Sequence, residues 1–215
     1  MLKFRASMIG KLMAYPDKDT LSAGAMSAVY EKASQIILGW EPKLDMQVIE
    51  KGRQCEDDAI ELLNSVLGKS YTKNETRLNT DLITGEWDIF DEEENKIIDI
   101  KNAYSKKTFP VIITEGDMKL YEWQLTAYMH LKDADKAAIA YCLVDTPEEL
   151  ISRRDDPDWH IVSHIPECDR VTVFEMERCF KKERQMLKKV KLAQDELKRI
   201  LEERDFDINL YEVDF

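Results

Sequence analysis

Gly85-Glu86-Trp87-Asp88-Ile89-Phe90-Asp91-Glu92-Glu93-Glu94-Asn95-Lys96-Ile97-Ile98-Asp99-Ile100-Lys101 is the stretch on which the reading of the fold turns. Two runs of β-forming residues flank the polar segment Asp91–Asn95, a pattern that predicts a hairpin. Side chains alternate along a strand, so Asp99 and Lys101 share one face while Ile98 and Ile100 share the other. The preceding strand can set Asp88 across from the Asp99 face. Two carboxylates and a lysine then converge on one side of a unit whose other side is apolar. An acid-x-lysine triplet alone also suits a solvated face; its place on a hairpin behind a second acid gives it weight.

Upstream, a helix is expected over 45–67. Ile49, Gly52, Glu56, Ala59, Ile60 and Leu63 recur at helical spacing and share a face, which puts Glu56 inside an inward-facing stripe. A glutamate is almost never buried unless it is paired or bound to a metal. Glu56 therefore either pairs with a nearby Lys or Arg or joins Asp88 and Asp99, and Gly52 one turn earlier leaves room for a close approach. Downstream, a helix is expected over 117–132. Leu120, Trp123, Ala127 and Leu131 form its apolar stripe, with Tyr121, Gln124 and Tyr128 along the edge. That edge suits the rim of an active site, or simply the core boundary.

Further elements complete the reading: a helix over 20–39, strands over 70–80, 83–91, 96–101, 136–144 and 159–165, and a long charged C-terminal helix over 168–205. Their order predicts an α/β fold with a central mixed β-sheet flanked by helices. A single domain over 1–215 is expected, with an N-terminal helical segment 1–67 and an α/β core 68–166. With 215 residues, 44% of them hydrophobic, the chain can bury one substantial core. The longest apolar run, 137–144, is too short to span a bilayer, and no secretory signal is visible, so a cytoplasmic protein is expected. The four cysteines lie far apart, which disfavours a zinc ribbon or an iron–sulfur cluster; Cys55 and Cys142 read as core residues. His130, His160 and His164 show no metal spacing and read as structural or surface residues.

With 43 acidic against 31 basic residues, the net charge of −12 argues against a simple cationic nucleic-acid coat. It is compatible with a nucleic-acid enzyme, where only the groove need be positive and the acids can hold metal. The chemistry that needs this residue set is metal-assisted phosphodiester hydrolysis. Mg²⁺ is held by a few carboxylates together with water and substrate phosphate, and it activates an attacking water. Glu56, Asp88 and Asp99 are the candidate ligands, and Lys101 is placed to orient or deprotonate that water.

The ordered set of motifs resembles the PD-(D/E)xK nuclease superfamily and, more narrowly, the phage lambda-type exonuclease family. Arg5-Ala6-Ser7 with Ile9-Gly10-Lys11-Leu12 is similar to the family's N-terminal segment. Gly52-Arg53-Gln54-Cys55-Glu56-Asp57-Asp58-Ala59 matches its G-x-x-x-E-x-x-A helix, and Gly85-Glu86-Trp87-Asp88 its glycine-to-aspartate strand. Ile98-Asp99-Ile100-Lys101 corresponds to the acid-x-lysine motif, and Tyr121-Glu122-Trp123-Gln124 with Tyr128 to the Y-x-x-Q-x-x-x-Y helix. Trp87 stands where the superfamily has proline, and Asp99 where it often has glutamate. The resemblance implies Lys101, Asp88, Asp99, Glu56 and Gln124 as catalytic residues. Glu56, Asp88, Asp99 and Ile100 are implied as the metal-binding set, for two Mg²⁺ ions with Mn²⁺ able to substitute.

If phosphates are the substrate, cations must line the route to the site. Arg5, Ser7, Tyr104, Lys106, Lys107, Tyr121 and Tyr128 are the candidate DNA contacts, with Arg5 taking the part of the arginine that the family places upstream of its serine. The basic flank of the last helix (Lys181, Arg184, Lys188, Lys191) reads as a solvated face. The resemblance further implies a homotrimer acting 5′ to 3′ on linear duplex ends, in recombination with a single-strand annealing protein, in the bacterial host cytoplasm. An endonuclease or single-strand nuclease of the same fold is the alternative, and a non-catalytic acidic interaction module a second one. The remaining acids are expected to cluster away from the groove, in the Asp91–Glu94 turn, the 155–158 loop and the tail with Asp205, Asp207, Glu212 and Asp214.

Overall fold

The computed structural model describes residues 2–42, 46–119 and 121–206. β1 (Phe4–Arg5) leads into a 3-10 segment, Ala6–Leu12, and then α1 (Ala23–Leu38), α2 (Met46–Gln54) and α3 (Glu56–Leu67). β2 (Leu78–Asn79), β3 (Ile83–Gly85), β4 (Ile89–Asp91) and β5 (Lys96–Asn102) follow. The chain continues through α4 (Glu115–Met118), α5 (Glu122–Lys132), β6 (Lys136–Cys142), β7 (Val171–Glu177) and α6 (Phe180–Glu203). The architecture is the expected α/β one: a sheet of order β4-β5-β6-β7, a smaller sheet of order β1-β3-β2, and helices on both sides.

β5 sits at the centre. It pairs antiparallel with β4 (Ile89 opposite Ile98) and parallel with β6 (Asp99 opposite Ile139). A strand covered on both faces has no solvated side, and β5 accordingly buries Ile97 and Asp99 as well as Ile98 and Ile100. Ile97 joins the main core with Ile139, α5, α6 and the 3-10 segment, while Ile98 and Ile100 pack with Ala138, Ala140 and α3 residues Ala59 and Leu63. The hairpin turn is closed by Asp91, whose Oδ1 accepts the N–H groups of Glu93 (3.0 Å) and Glu94 (3.1 Å). Asp91 is itself buried, taking the Tyr71 hydroxyl at 2.7 Å and Lys69 at 3.4 Å, so it is no part of a solvated acidic turn.

Several expectations are corrected. The strand expected over 83–91 is two strands in different sheets, joined by Glu86-Trp87-Asp88, with Trp87 buried edge-on to Tyr128. Of the strand expected over 70–80, only Leu78–Asn79 pairs. The helix expected over 45–67 breaks at Cys55, because Asn102 Nδ2 reaches across to the carbonyls of Gly52 (3.4 Å) and Cys55 (3.1 Å). Upstream of the break the stripe turns outward: Ile49 is 45% exposed, and nothing comes within 4 Å of a Cβ built on Gly52.

Residues 159–165 form no strand. A 3-10 turn, Pro157–Trp159, begins the segment, and Asp145 Oδ1 then holds the N–H groups of Val162 (2.6 Å) and Ser163 (2.9 Å). The last strand is instead β7, in the stretch expected to begin the C-terminal helix. Val171-Thr172-Val173-Phe174 is β-branched and alternating, and Phe174 pairs opposite Ile139 while packing on the core. The helix starts only at Phe180, and its stripe (Met186, Val190, Ala193, Leu197, Leu201) is buried against α1, α5 and the 3-10 segment. On its basic flank Lys188 pairs with Asp19 and Lys191 with Asp195. Leu120 and the tail acids Asp207, Glu212 and Asp214 lie outside the described residues. No helix among the described residues is long and apolar enough to cross a membrane.

Candidate active site

The side chains of β5 that face α5 build the site. Asp99, 3% exposed, lies under that helix, and its Oδ1 accepts a hydrogen bond from Gln124 Nε2 at 3.2 Å. The same amide donates to the Tyr128 hydroxyl at 2.9 Å, so the glutamine is held from two sides. Asp99 Oδ2 is buried with no aligned hydrogen bond; the Lys101 ammonium stands 2.5 Å from it, an ion pair off the hydrogen-bonding direction. Lys101 also lies over the Tyr121 ring at 5.3 Å, and the Tyr121 hydroxyl meets that of Tyr141 at 3.0 Å.

Asp88, in the link between β3 and β4, turns its Oδ2 to the Ile100 N–H at 2.6 Å. This single bond ties the aspartate to the strand that carries Asp99 and Lys101. Burial pushes the Asp88 carboxyl well above the usual range, and the charge of Asp99 pushes it the same way. Burial works against the Lys101 ammonium, but Asp99 and Asp88 outweigh it and raise its pKa. The site thus holds two carboxylates that repel one another and one ammonium between β5 and α5.

Glu56 opens α3, and its negative charge suits the helix N-terminus. It is only partly exposed, and its carboxylate is paired with Lys73 at 2.6 Å. Of the two readings open for Glu56, partner or ligand, the first describes its contact here. Among the described residues no three Asp, Glu, His or Cys side chains are gathered closely enough to hold an ion. Two mutually destabilising carboxylates, one with a buried oxygen lacking an aligned donor, nevertheless fit a divalent cation, with Glu56 as the third carboxylate once released from Lys73.

The remaining candidates fall into three groups. Arg5 and Ser7 are exposed at the end of β1, which runs parallel to β3 and so ends beside the strand leading to Asp88. Lys106 and Lys107 lie beyond β5 in a loop tied to the 155–160 segment: Lys106 Nζ donates to the Asp158 carbonyl at 2.6 Å, and Lys107 sits 3.1 Å above the Trp159 ring. Tyr104 is half-buried and Tyr128 buried, and the hydroxyls of both are engaged within the protein. The Tyr104 hydroxyl donates to the Leu150 carbonyl (2.7 Å) and accepts the Ser152 N–H (3.2 Å), while its ring packs on buried His160. Tyr128 is 5% exposed.

Sequence reasoning missed Lys51, which is fully buried. Its ammonium donates to the carbonyls of Ala103 (2.7 Å), Val144 (2.9 Å) and Tyr104 (3.2 Å), clamping the ends of β5 and β6 to α2. A signal was present, since Lys51, Cys55, Ala59 and Leu63 form one i, i+4 row whose other members are all buried. Gly85, part of the glycine-to-aspartate motif, also has a packing role. A Cβ there would meet Leu131 Cδ1 at 2.7 Å and the Tyr128 ring at 3.0 Å, so its absence lets α5 lie against β3.

No family model matches the sequence, and no curated protein matches it. Solved structures do. A phage-related exonuclease from Haemophilus somnus is 29% identical, with 94% of this chain and 96% of that chain covered and a TM-score of 0.88. An alkaline exonuclease from Laribacter hongkongensis has the same fold at 13% identity, over 94% of this chain and 91% of that one, with a TM-score of 0.67. The fold and its exonuclease neighbours define a nuclease of the PD-(D/E)xK type. Within that class the high-coverage likeness to phage-related and alkaline exonucleases supports the lambda-type exonuclease family.

Proposed function

We propose that this nuclease hydrolyses phosphodiester bonds of linear duplex DNA from the 5′ end, using Mg²⁺ or, in its place, Mn²⁺. The observation that carries this reading is the arrangement around Asp99, with Lys101 at 2.5 Å, Gln124 at 3.2 Å and Asp88 bound to the neighbouring Ile100 N–H. Bound divalent ions would be held by Asp88, Asp99 and Glu56, with Ile100 alongside, and would supply activated water and charge neutralisation at the phosphate. The chain's own residues do the positioning. Gln124 fixes the Asp99 carboxylate, the Ile100 N–H fixes Asp88, and the Lys101 ammonium is placed to orient the attacking water. Exposed Arg5, Ser7 and Lys107, with half-buried Lys106, supply polar and cationic groups for the phosphate backbone.

The same reading extends to a ring of three subunits, a single-strand annealing partner and a role in phage recombination within the bacterial host. The test is time-resolved digestion of linear duplex labelled at one end or the other, with closed circular duplex alongside. Loss of the 5′ label first, with the circle intact and Lys101→Ala inactive, supports the proposal. Cleavage of the circle would favour the endonuclease alternative, and an active Lys101→Ala would remove the assignment.

A further inference from the structure

Lys73 stands between the two halves of the site. Asn64 and Tyr71 exchange hydrogen bonds at 2.7 and 2.9 Å, anchoring the chain before Lys73 to α3. Directly after it, the Asn74 N–H donates to the carbonyl of Asp88 itself at 2.7 Å, and Asn74 Nδ2 to that of Trp87 at 2.9 Å. The segment therefore bridges the helix that begins with Glu56 and the strand link that carries Asp88. From this bridge Lys73 Nζ reaches Glu56 Oε2 at 2.6 Å. Its side chain is 43% exposed, against 28% for Lys101, so the lysine can swing into solvent where Lys101 is confined between β5 and α5.

We propose that Lys73 is an internal counter-ion of Glu56 that a divalent metal ion must displace, so that this lysine sets how tightly the site takes its metal. The inference rests on the metal-dependent reading above. At 2.6 Å the Lys73 ammonium occupies Glu56 Oε2 and sets its charge beside Oε1, so a metal ion approaching either oxygen competes with it for the carboxylate. Because the pair is half-exposed, the competition is modest, and removing it should tighten metal binding by about 2- to 5-fold.

The test is calorimetric titration with Mn²⁺ of the wild type, Lys73→Met, Lys73→Arg, Glu56→Gln and the Glu56→Gln/Lys73→Met double variant, each checked by a thermal melt. Lys73→Met should bind Mn²⁺ about 2- to 5-fold more tightly, Lys73→Arg should stay at the wild-type value, and Glu56→Gln should bind more weakly. In the Glu56→Gln background the gain from Lys73→Met should vanish. An unchanged affinity in Lys73→Met overturns the inference, as does a gain of the same size without Glu56, which would be general charge removal. If the wild type takes up no Mn²⁺ at all, the metal-dependent reading itself falls.

Discussion

Gln124 Nε2 is shared between the Asp99 carboxylate and the Tyr128 hydroxyl, at 3.2 and 2.9 Å. The tyrosine thereby holds the amide that holds the aspartate. A hydrogen bond to a charged group contributes about 1.5–3 kcal/mol, so Gln124→Ala should lower kcat by roughly 10-fold or more while the protein still folds. Steady-state hydrolysis of linear duplex checks this, and a variant within 2-fold of wild type would show that the amide does not position Asp99.

Tyr128→Phe should behave differently. Its hydroxyl accepts from Gln124 and the ring is buried against Trp87, so the variant keeps the packing and loses one neutral hydrogen bond. The expected stability loss is about 1 kcal/mol, with DNA affinity unchanged in a binding titration. A large loss of DNA affinity would return Tyr128 to the surface role expected from the motif alone.

Gly85→Ala tests the packing beneath both residues. Leu131 can rotate from the new methyl, but the Tyr128 ring, 3.0 Å away and fixed by Gln124 and Trp87, cannot yield as easily. Overpacking of this kind costs about 1–3 kcal/mol, and here it should also reduce kcat by displacing Tyr128 and with it Gln124. Urea denaturation and hydrolysis assays together separate the two effects; a neutral substitution would mean that α5 does not need this close approach.

The parts of the fold and site legible in the sequence are those governed by local alternation. Ile97–Lys101 is a central strand, so its period-two pattern fixes at once which residues meet α3 and which meet α5. The break between α2 and α3 was not legible, because Asn102, far along the chain, draws on the carbonyls of Gly52 and Cys55. β7 was missed for another reason. Val173, Met176 and Phe180 also satisfy a helical spacing, and pairing with β6 decides in favour of the strand. The stripe leaves Glu56 either paired or a ligand, and nothing local identifies Lys73, which reaches it only after the chain has returned past Tyr71.

Lys51 provides the remaining prediction. Burial pushes its pKa down from 10.5 to about 8, and among the described residues no carboxylate is in ion-pair contact with it and its hydrogen-bond partners are backbone carbonyls. The unfolded chain therefore binds more protons than the folded one between pH 8 and 10.5, and stability from this group rises with pH across that window. The contribution is complete above the unfolded value and is lost as pH falls through about 8. Lys51→Met removes the titration and takes the lysine donor from the buried Ala103 and Val144 carbonyls, while that of Tyr104 keeps Thr146, costing about 2 kcal/mol or more near neutral pH. Unfolding by urea at several pH values should show the stability gap between wild type and Lys51→Met widening between pH 8 and 10.5, by an amount on the order of 3 kcal/mol. A gap that stays constant over that range would mean that Lys51 keeps an ordinary pKa and that its burial costs the ammonium little.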